Sequence, residues 1–342
     1  MLRRLLHPMW LIMAASGMSC TGLAGFHTTK SAIRNPKSAI AGGWLAAIRA
    51  RPEHRPLNVA HRGARSLAPE NTLAAARKAF ALGADAWEVD VQPTRDGHLV
   101  VMHDDTLERT TNARRLFPDR KPWAISDFTL DEIRRLDAGS WFGQTDPFGQ
   151  VKAGAVSADD VKSYAGERVP TLDEVLRFTR VEGRLLDLEI KQMPRRYSGI
   201  VEKVVAAIEA EGMVERTAIS CFDHTCVARV KSLNRRIAAG PISSDRLGDP
   251  ARYVKRILHG DAWFPSGQVV GLGSLAFAGS NANEGSHKAA DLNCADLRDL
   301  RKAGVAVFVW TINDEREMQA LIEAGVTGIV SDFPQRLASL LK

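Results

Sequence analysis

The sequence AWEVDVQPTRDGHLVVMH, residues 86–103, contains two predicted strands with polar side chains, and it decides how the fold is interpreted. Glu88 and Asp90 are separated by one residue, so both side chains point to the same side of a predicted strand, 86–91. The alternating valines take the other side, where helices would cover them. A second predicted strand, 98–103, follows after a connection too short for the crossover that a parallel pair needs. We therefore expect the joint between the two strands to be irregular or briefly antiparallel.

From residue 57 onward, short apolar runs alternate with amphipathic stretches. The candidate strands are 57–61, 86–91, 98–103, 185–190, 217–221, 236–240, 305–310 and 328–331. Helical periodicity is found in 71–82, 171–181, 199–211, 224–233, 294–303 and 314–324. Eight strands with interleaved helices predict an α/β protein, a TIM (β/α)8 barrel over 57–342. The stretch 104–168 is too long for a plain loop and predicts a small insertion that caps one barrel face.

The basic character of the chain is concentrated at its N-terminus. The formal net charge is +6, but residues 1–56 contain eight Lys or Arg side chains and one acid. The remaining residues then contain 38 basic and 39 acidic side chains. Because the predicted barrel is close to neutral, it lacks the basic face of a nucleic-acid-binding protein. Nucleic acid is therefore excluded as a partner.

Residues 1–20 resemble an export segment. Arg3 and Arg4 precede an apolar run, 9–18, that is too short to span a bilayer. Cys20 raises the alternative of a lipid-modified cysteine and a membrane tether through the N-terminus, although the leucine usual three positions upstream is missing. Periplasmic, secreted and membrane-tethered forms all stay open. Residues 21–56 lack periodicity and predict a flexible linker.

Several polar residues fall where the predicted strands end. His61 closes the first candidate strand, His103 the third, and Trp310 the seventh, while Glu189 and Lys191 follow one another at the end of the fourth. Barrel active sites form at the C-terminal ends of the strands. We therefore expect these side chains to converge on one mouth of the barrel.

Two carboxylates on one side of a strand, Glu88 and Asp90, repel each other and are costly to bury. A divalent cation would remove that cost, and Glu189 could supply a third carboxylate. Oxygen ligands suit a hard cation, Ca²⁺ or Mg²⁺, and the cysteines show no zinc-ligand spacing. Buried ion pairs with Arg62 and Lys191 explain the same carboxylates equally well. Spacing alone does not choose between the two interpretations.

His61 and His103 suggest proton transfer, because imidazole titrates near neutral pH. A lone histidine at a strand end is more often a hydrogen-bonded structural residue, so this alternative also stays open. Arg62 and Lys191 are suitable phosphate ligands, since guanidinium can bind two oxygens at once and ammonium acts as a point charge.

Two further polar segments are less informative. Residues 69–72, PENT, precede a predicted helix and are interpreted as a helix start with Asn and Thr as capping candidates. Residues 109–112, RTTN, form a polar loop that could brace the mouth of the barrel.

The ordered motifs of the chain resemble those of the glycerophosphodiester phosphodiesterases. The matching segments are HRGA at 61–64, PENT at 69–72, EVDV at 88–91, TRDG at 94–97, HDDTLERTTN at 103–112, VPTLDEVL at 169–176, LEIK at 188–191, VWTIND at 309–314 and SDFP at 331–334. Each is weak alone, but together they cover nearly all of the chain after the predicted linker. The region 265–293 carries no motif of this family.

The resemblance implies a TIM barrel that hydrolyses glycerophosphodiesters, small-molecule substrates, to glycerol phosphate and a free alcohol. It also implies one divalent cation, Ca²⁺ or Mg²⁺. By motif position it assigns Glu88, Asp90 and Glu189 to the metal, His61 and His103 to acid and base catalysis, Arg62 and Lys191 to the phosphate, and Phe222 and Trp310 to the glycerol or alcohol side.

Two rival functions remain at this point. A related barrel phosphodiesterase acting on lysophospholipids or sphingomyelin would use the same metal and histidines. A non-catalytic glycerophosphodiester-binding protein is disfavoured, because every expected catalytic position is filled. The preferred alcohol, the attacking oxygen (water or the substrate's own hydroxyl) and the oligomeric state are left open by the sequence.

Overall fold

The computed structural model describes residues 43–49, 55–272 and 294–342. Its strands are β1 (Leu57–Ala60), β2 (Ala86–Pro93), β3 (Leu99–Val101), β4 (Leu185–Ile190), β5 (Thr217–Cys221), β6 (Ala238–Ser243), β7 (Ala262–Pro265), β8 (Ala306–Val309) and β9 (Gly328–Ser331). Eight of them pair in parallel in the order β1, β2, β4, β5, β6, β7, β8, β9, and β9 returns to β1. The predicted TIM barrel is confirmed.

The described α-helices precede β1, follow the barrel strands or belong to the insertion over 104–168. They are α1 (Gly43–Arg49), α2 (Leu73–Ala81), α3 (Ala113–Leu116), α4 (Leu130–Ile133), α5 (Ser140–Thr145), α6 (Ala158–Ser163), α7 (Leu172–Val181), α8 (Ile200–Ala210), α9 (His224–Leu233), α10 (Pro250–Arg252), α11 (Cys294–Lys302), α12 (Glu315–Ala324) and α13 (Pro334–Leu340). A 3₁₀ turn, Ile125–Asp127, and a π-helical turn, Tyr253–Ile257, complete the described helical segments.

The membership of the barrel differs from the prediction at two strands. The predicted strand 98–103 is β3, which pairs antiparallel with the end of β2 and lies outside the ring. The short connection allows a hairpin but no crossover helix, so β3 cannot become a parallel neighbour. The eighth barrel strand is β7, which the prediction omitted. Its sequence, AWFP, ends in proline, which is uncommon inside strands, so the run did not indicate a strand.

Helix α7 illustrates how the sequence fixes the outer layer. Thr171 accepts a hydrogen bond from the backbone of Glu174, and the Glu174 side chain accepts one from the backbone of Thr171. This capping box satisfies two amide groups that the first turn leaves free. The apolar side of the helix then buries Val175 and Leu176 in the cluster that contains the outward residues of β2 and β4. Each such side chain contributes about 1.5–3 kcal/mol through burial.

Helix α1 lies within the predicted flexible linker, 21–56, and the linker prediction is wrong for its seven residues. Trp44 is fully buried and belongs to a cluster with the first residues of several barrel strands. Small residues there, such as Ala86 and Ala218, leave space for the indole. A single buried tryptophan gives no periodicity, so this tertiary contact was invisible in the sequence.

Trp44 is also anchored by polar contacts. Its backbone N–H donates to the carbonyl of Glu215 at 2.8 Å, and its Nε1 donates to the carbonyl of Leu186 at 2.9 Å. The indole meets the Phe308 ring edge-to-face, with centroids 5.1 Å apart. Gly43 precedes it with φ of +74°, and a Cβ there would lie 1.9 Å from the Glu215 carbonyl oxygen. Glycine is therefore required at the start of α1.

The insertion over 104–168 folds into short helices with apolar clusters of its own. Phe142 and Tyr164 pack against Leu67 and Ala68 in the loop after β1, and the Tyr164 hydroxyl donates to the Leu67 carbonyl at 2.9 Å. Among the described residues that line the cavity at the barrel mouth, none comes from 104–168. The insertion therefore lies beside the mouth, whereas the sequence had suggested a cap over a barrel face.

Two predicted segments fall outside the described residues. The export segment, 1–20, is one, and most of the motif-free region 265–293 is the other. Across the part of the chain that the structure describes, every helix is too short or too polar to cross a bilayer.

Candidate active site

A cavity of about 210 Å³ opens at the C-terminal ends of the barrel strands. Eight of the nine predicted site residues line it: His61, Arg62, Glu88, His103, Glu189, Lys191, Phe222 and Trp310. The ninth, Asp90, is 1% exposed and contacts two of the lining residues, Arg62 and Lys191. The strand ends thus bring the predicted residues together at one mouth.

The carboxylates of Glu88, Asp90 and Glu189 form a compact acidic cluster. One oxygen from each lies within 4.8 Å of the others, a separation at which a single ion could bind all three. Burial and the nearby charges of Asp90 and Glu189 raise the pKa of Glu88 well above its usual range. A cation among the three carboxylates would relieve both effects.

The turn after β1 holds Glu88 in place. Arg62 adopts a left-handed backbone conformation, with φ of 53°, and its N–H donates to Glu88 Oε2 at 2.9 Å. Gly63 follows with φ of +81°, and a Cβ there would come within 2.6 Å of the Ala75 side chain. The HRGA segment is therefore needed as a tight turn that aims an amide at the acidic cluster.

The cations of the site are also bound to these carboxylates. Lys191 Nζ lies 2.8 Å from Glu189 Oε1 and 3.5 Å from Asp90 Oδ1, and Arg62 Nε lies 3.4 Å from Asp90 Oδ2. Ion pairing, one of the two interpretations open to the sequence, is thus present. Even so, the three carboxylates outnumber the two positively charged side chains, Arg62 and Lys191. Asp90 Oδ1 is buried and has no hydrogen-bond partner.

His61 is oriented by an acid from the last barrel strand. Its Nδ1 lies 2.7 Å from Asp332 Oδ1, so we assign the proton on Nδ1 to this bond. Asn313 donates to the other oxygen of Asp332 at 2.8 Å. The His61 Nε2 then faces the cavity, 3.9 Å from Glu88 Oε2. Burial lowers the pKa of His61 and leaves its Nε2 able to accept a proton.

His103 has an equivalent partner in the next residue. Its Nδ1 lies 2.8 Å from Asp104 Oδ1, and Arg109 binds both oxygens of Asp104, at 2.7 and 2.9 Å. Burial opposes ionisation of Asp104, but the hydrogen bonds from His103 and Arg109 dominate and lower the pKa of this carboxyl. Each histidine therefore faces a carboxylate through Nδ1, which leaves Nε2 for other partners.

Asp187 lies one layer below Glu189 on the same side of β4. Ser220 donates to its Oδ1 at 3.0 Å, and burial raises the pKa of Asp187 to about 8. Burial therefore disfavours ionisation of this carboxyl, which lies next to the acidic cluster. The position two residues before Glu189 was the sequence signal for it.

The opposite wall of the cavity is apolar. Phe222 and Trp310 meet edge-to-face with ring centroids 5.6 Å apart, and Trp310 Nε1 donates to the Phe264 carbonyl at 2.8 Å. This hydrogen bond satisfies the indole N–H and fixes the ring beside the cavity. The site therefore has one ionic side and one apolar side.

The segment 69–72 does more than the sequence suggested. Thr72 caps α2 by accepting from Ala75 N at 3.2 Å, which confirms the helix start. Asn71 instead donates to Asp90 Oδ2 at 2.9 Å, and Glu70 binds arginines behind the site. Capping was thus the wrong interpretation for Asn71, because its partner, Asp90, lies 19 residues away in the sequence.

A closed parallel barrel with an acidic cluster, two histidines and two cations at its C-terminal mouth defines a TIM-barrel phosphodiesterase. The chain belongs to the glycerophosphoryl diester phosphodiesterase family, whose model matches residues 61–336.

Relatives and solved structures agree with this assignment. The chain is 34% identical over 286 residues to a glycerophosphodiester phosphodiesterase of Caldanaerobacter subterraneus, covering 84% of this chain and 98% of the relative. It resembles an Oleispira antarctica phosphodiesterase, solved with the product sn-glycerol-3-phosphate, at 27% identity and a TM-score of 0.63, over 86% of this chain and 98% of the other. A Silicibacter pomeroyi structure, at 24% identity and a TM-score of 0.67, covers 87% and 96% and supports the fold.

Proposed function

We propose that this protein hydrolyses glycerophosphodiesters to glycerol phosphate and an alcohol, with one divalent cation and two histidines. The observation that carries the proposal is the cavity that places Glu88 and Glu189 beside His61 and His103. The product complex of the Oleispira antarctica phosphodiesterase supports glycerol phosphate as the product class.

The residues present fit a hard cation. Asp90 offers a buried oxygen without a hydrogen-bond partner, and the three carboxylates outnumber Arg62 and Lys191. Carboxylate oxygens are the ligands that Ca²⁺ and Mg²⁺ prefer. Glu88, Asp90 and Glu189 would hold the ion. When bound, it would neutralise charge on the non-bridging phosphate oxygens.

Arg62 and Lys191 would bind the phosphate from the same side. Both side chains line the cavity, and both are held against carboxylates by ion pairs. With a cation on those carboxylates, the two side chains are free to turn part of their hydrogen bonding towards the substrate. Their positive charges would stabilise the extra negative charge of the transition state.

His61 and His103 would move the protons. In each, the Nδ1 bond to a carboxylate fixes the ring and leaves Nε2 to exchange a proton with the reacting oxygens. One histidine takes the proton from the attacking oxygen, and the other gives a proton to the departing alcohol. The attacking oxygen belongs to water or to the substrate's glycerol hydroxyl. The second route forms a cyclic phosphate first, which ³¹P spectra of the reaction would reveal.

Phe222 and Trp310 would contact the carbon skeleton of the substrate. Their rings form the wall opposite the ionic groups, so a bound phosphate would direct the glycerol or the alcohol towards them. Replacing Trp310 by alanine should then raise KM more than it lowers kcat, because contacts made equally in ground and transition states affect binding alone.

The test is a product assay with three substrates. Glycerophosphocholine should yield glycerol phosphate and choline, while lysophosphatidylcholine micelles and sphingomyelin should react more slowly. Faster cleavage of the micellar lipids would transfer the assignment to a lysophospholipid phosphodiesterase. Recovery of all three substrates unchanged, with Ca²⁺ or Mg²⁺ present, would favour a binding protein instead.

We also propose that the protein is exported through residues 1–20, on the basis of Arg3, Arg4 and the short apolar run that follows. The mass of the mature N-terminus, measured on protein from cells, distinguishes cleavage from a lipid-modified Cys20. An intact Met1 on protein retained inside the cells would contradict export.

A further inference from the structure

Glu70 is a carboxylate bound by three arginines. Its side chain is 3% exposed. Arg62 Nη1 donates to Oε1 at 2.9 Å, Arg65 Nη2 lies 3.1 Å from Oε2, and Arg109 binds both oxygens, at 2.8 and 3.0 Å. Burial opposes ionisation, but the hydrogen bond from Arg109 and the charges of Arg62 and Arg65 lower the pKa of Glu70 to about 2. Glu70 therefore carries a negative charge at neutral pH.

One of these arginines leads to His61. Arg65 Nη1 lies 3.5 Å from Asp332 Oδ1, the same oxygen that His61 Nδ1 contacts at 2.7 Å. The Arg65 guanidinium also lies over the Phe148 ring, 5.2 Å from its centroid, which limits the directions it can take. Glu70 thus binds Arg65, which in turn contacts Asp332, the partner of His61.

A second arginine leads to His103. Arg109 places Nε and Nη2 on the two oxygens of Asp104 while Nη1 and Nη2 bind Glu70. The guanidinium is therefore clamped between two carboxylates, a geometry that its planar fork matches well. Any rotation of Arg109 would move Asp104 and, through it, the His103 ring.

The third arginine is the predicted phosphate ligand. Arg62 donates from Nη1 to Glu70 Oε1 at 2.9 Å, and its Nε forms an ion pair with Asp90 Oδ2 at 3.4 Å without a hydrogen bond. Without the charge of Glu70, three guanidinium groups would repel one another, and Arg62 would move further onto Asp90. The orientation of the phosphate ligand therefore depends on the same carboxylate as the two histidine pairs.

We propose that Glu70 is a positioning residue for the hydrolysis, fixing Arg62 towards the phosphate and, through Arg65 and Arg109, the rings of His61 and His103. The inference rests on the proposed function, because it assigns a purpose to the same two histidines. Glu70 does not line the cavity. It acts through Arg62, which does, and through Arg65 and Arg109, which contact the carboxylate partners of the two histidines.

A comparison of two substrates separates positioning from plain structural support. A choline leaving group needs a proton from one histidine, whereas a p-nitrophenol leaving group departs without one. Loss of a well-placed proton donor therefore affects glycerophosphocholine more than the p-nitrophenyl ester of glycerol phosphate. A general loss of folded protein lowers both rates by the same factor.

Glu70→Gln should lower kcat for glycerophosphocholine by about 10- to 100-fold, the usual effect of removing a group that orients a reacting residue. The loss on the p-nitrophenyl ester should be smaller. Arg65→Gln and Arg109→Gln each disconnect a single histidine. Since one histidine donates the proton and the other accepts it, only one of these two variants should show the difference between substrates.

The matched control is Glu174→Gln. Glu174 binds both terminal nitrogens of Arg134, at 2.7 and 2.8 Å, in a partly exposed pair outside the cavity lining, and it also accepts a hydrogen bond from the backbone of Thr171 in the α7 capping box. We expect this variant to lose stability in a thermal melt and to keep the wild-type kcat on both substrates. It shows how the loss of a bidentate arginine pair, together with the change in the α7 cap, affects stability and rate away from the site.

The outcomes separate the two claims. An inactive wild-type protein would contradict the proposed hydrolysis itself, whatever the variants do. An active wild type with equal losses on both substrates in all three variants, or with no losses, would overturn the role of Glu70. If Glu70→Gln does not fold, Arg65→Gln and Arg109→Gln decide alone, because their side chains are 18% and 42% exposed and tolerate replacement better.

Discussion

Asn71 donates a hydrogen bond from Nδ2 to Asp90 Oδ2 at 2.9 Å, from a residue held in the left-handed region with φ of 58°. The contact joins the loop before α2 to the strand that carries two of the three clustered carboxylates. It leaves the other oxygen, Asp90 Oδ1, without a hydrogen-bond partner. A loop residue thus determines which carboxylate oxygen is available to a cation.

Asn71→Ala should weaken the binding of Ca²⁺ or Mg²⁺ by about 10- to 100-fold, because groups that orient metal ligands have effects of that size. Titration calorimetry of the purified protein measures it. The neighbouring variant Thr72→Ala is the control: it removes the cap of α2, costs about 1 kcal/mol of stability, and should leave cation affinity unchanged. Equal cation affinity in the two variants would argue against a role for Asn71.

His61→Ala and His103→Ala should each lower kcat by ~10²–10⁴, the range for loss of a general acid or base. Steady-state rates with glycerophosphocholine provide the measurement. His98→Ala serves as the control, since the His98 side chain is 58% exposed and lies outside the cavity lining. Near-wild-type turnover in both His61→Ala and His103→Ala would contradict their roles as general acid and base.

Because the pKa of Glu70 is lowered to about 2 in the fold, we predict that this residue contributes stability that is lost in acid. Its carboxylate is ionised in the fold down to that pH, while in the unfolded chain it takes up a proton near pH 4.5. Its contribution is therefore complete above about pH 4.5 and is lost as pH falls towards 2. The difference in unfolding free energy between wild type and Glu70→Gln, from urea titrations, should shrink across this window. A constant difference from pH 6 to pH 3 would contradict the pKa shift.

Trp44→Ala should destabilise the fold by about 3–5 kcal/mol, the usual cost of truncating a fully buried tryptophan. Trp44 lies among the first residues of the strands, far from the histidines, so kcat of the folded fraction should not change. Chemical denaturation gives the stability. Trp141→Ala, at a partly buried position in the insertion, should cost clearly less. An unchanged free energy of unfolding in Trp44→Ala would show that α1 does not stabilise the barrel.

The barrel was predictable because strand and helix periods differ and apolar runs marked seven of its eight strands. The errors have local causes. The strand β7 ends in Pro265, and because proline is more typical of turns than of strands, the run did not indicate a strand. The strand β3 has the composition of a barrel strand, and only its short connection to β2 showed that it forms a hairpin.

The candidate site was predictable where strand alternation fixes direction. Glu88 and Asp90 share a side of β2 by spacing alone, and so do Asp187 and Glu189 on β4. Contacts between loops were not predictable in this way. Asp332 lies 271 residues from His61, and Glu70 lies 39 residues from Arg109. Periodicity says which side of a strand a residue occupies, but it cannot say which loops meet above the barrel.

The central claim is that hydrolysis depends on a cation held by Glu88, Asp90 and Glu189. The most direct measurement is glycerol phosphate release from glycerophosphocholine by the purified protein, before and after EDTA treatment, with Ca²⁺ or Mg²⁺ then restored. We predict activity that disappears with EDTA and returns with one of the two ions, and a Glu189→Gln variant that needs more of that ion. Full activity in EDTA would contradict the account.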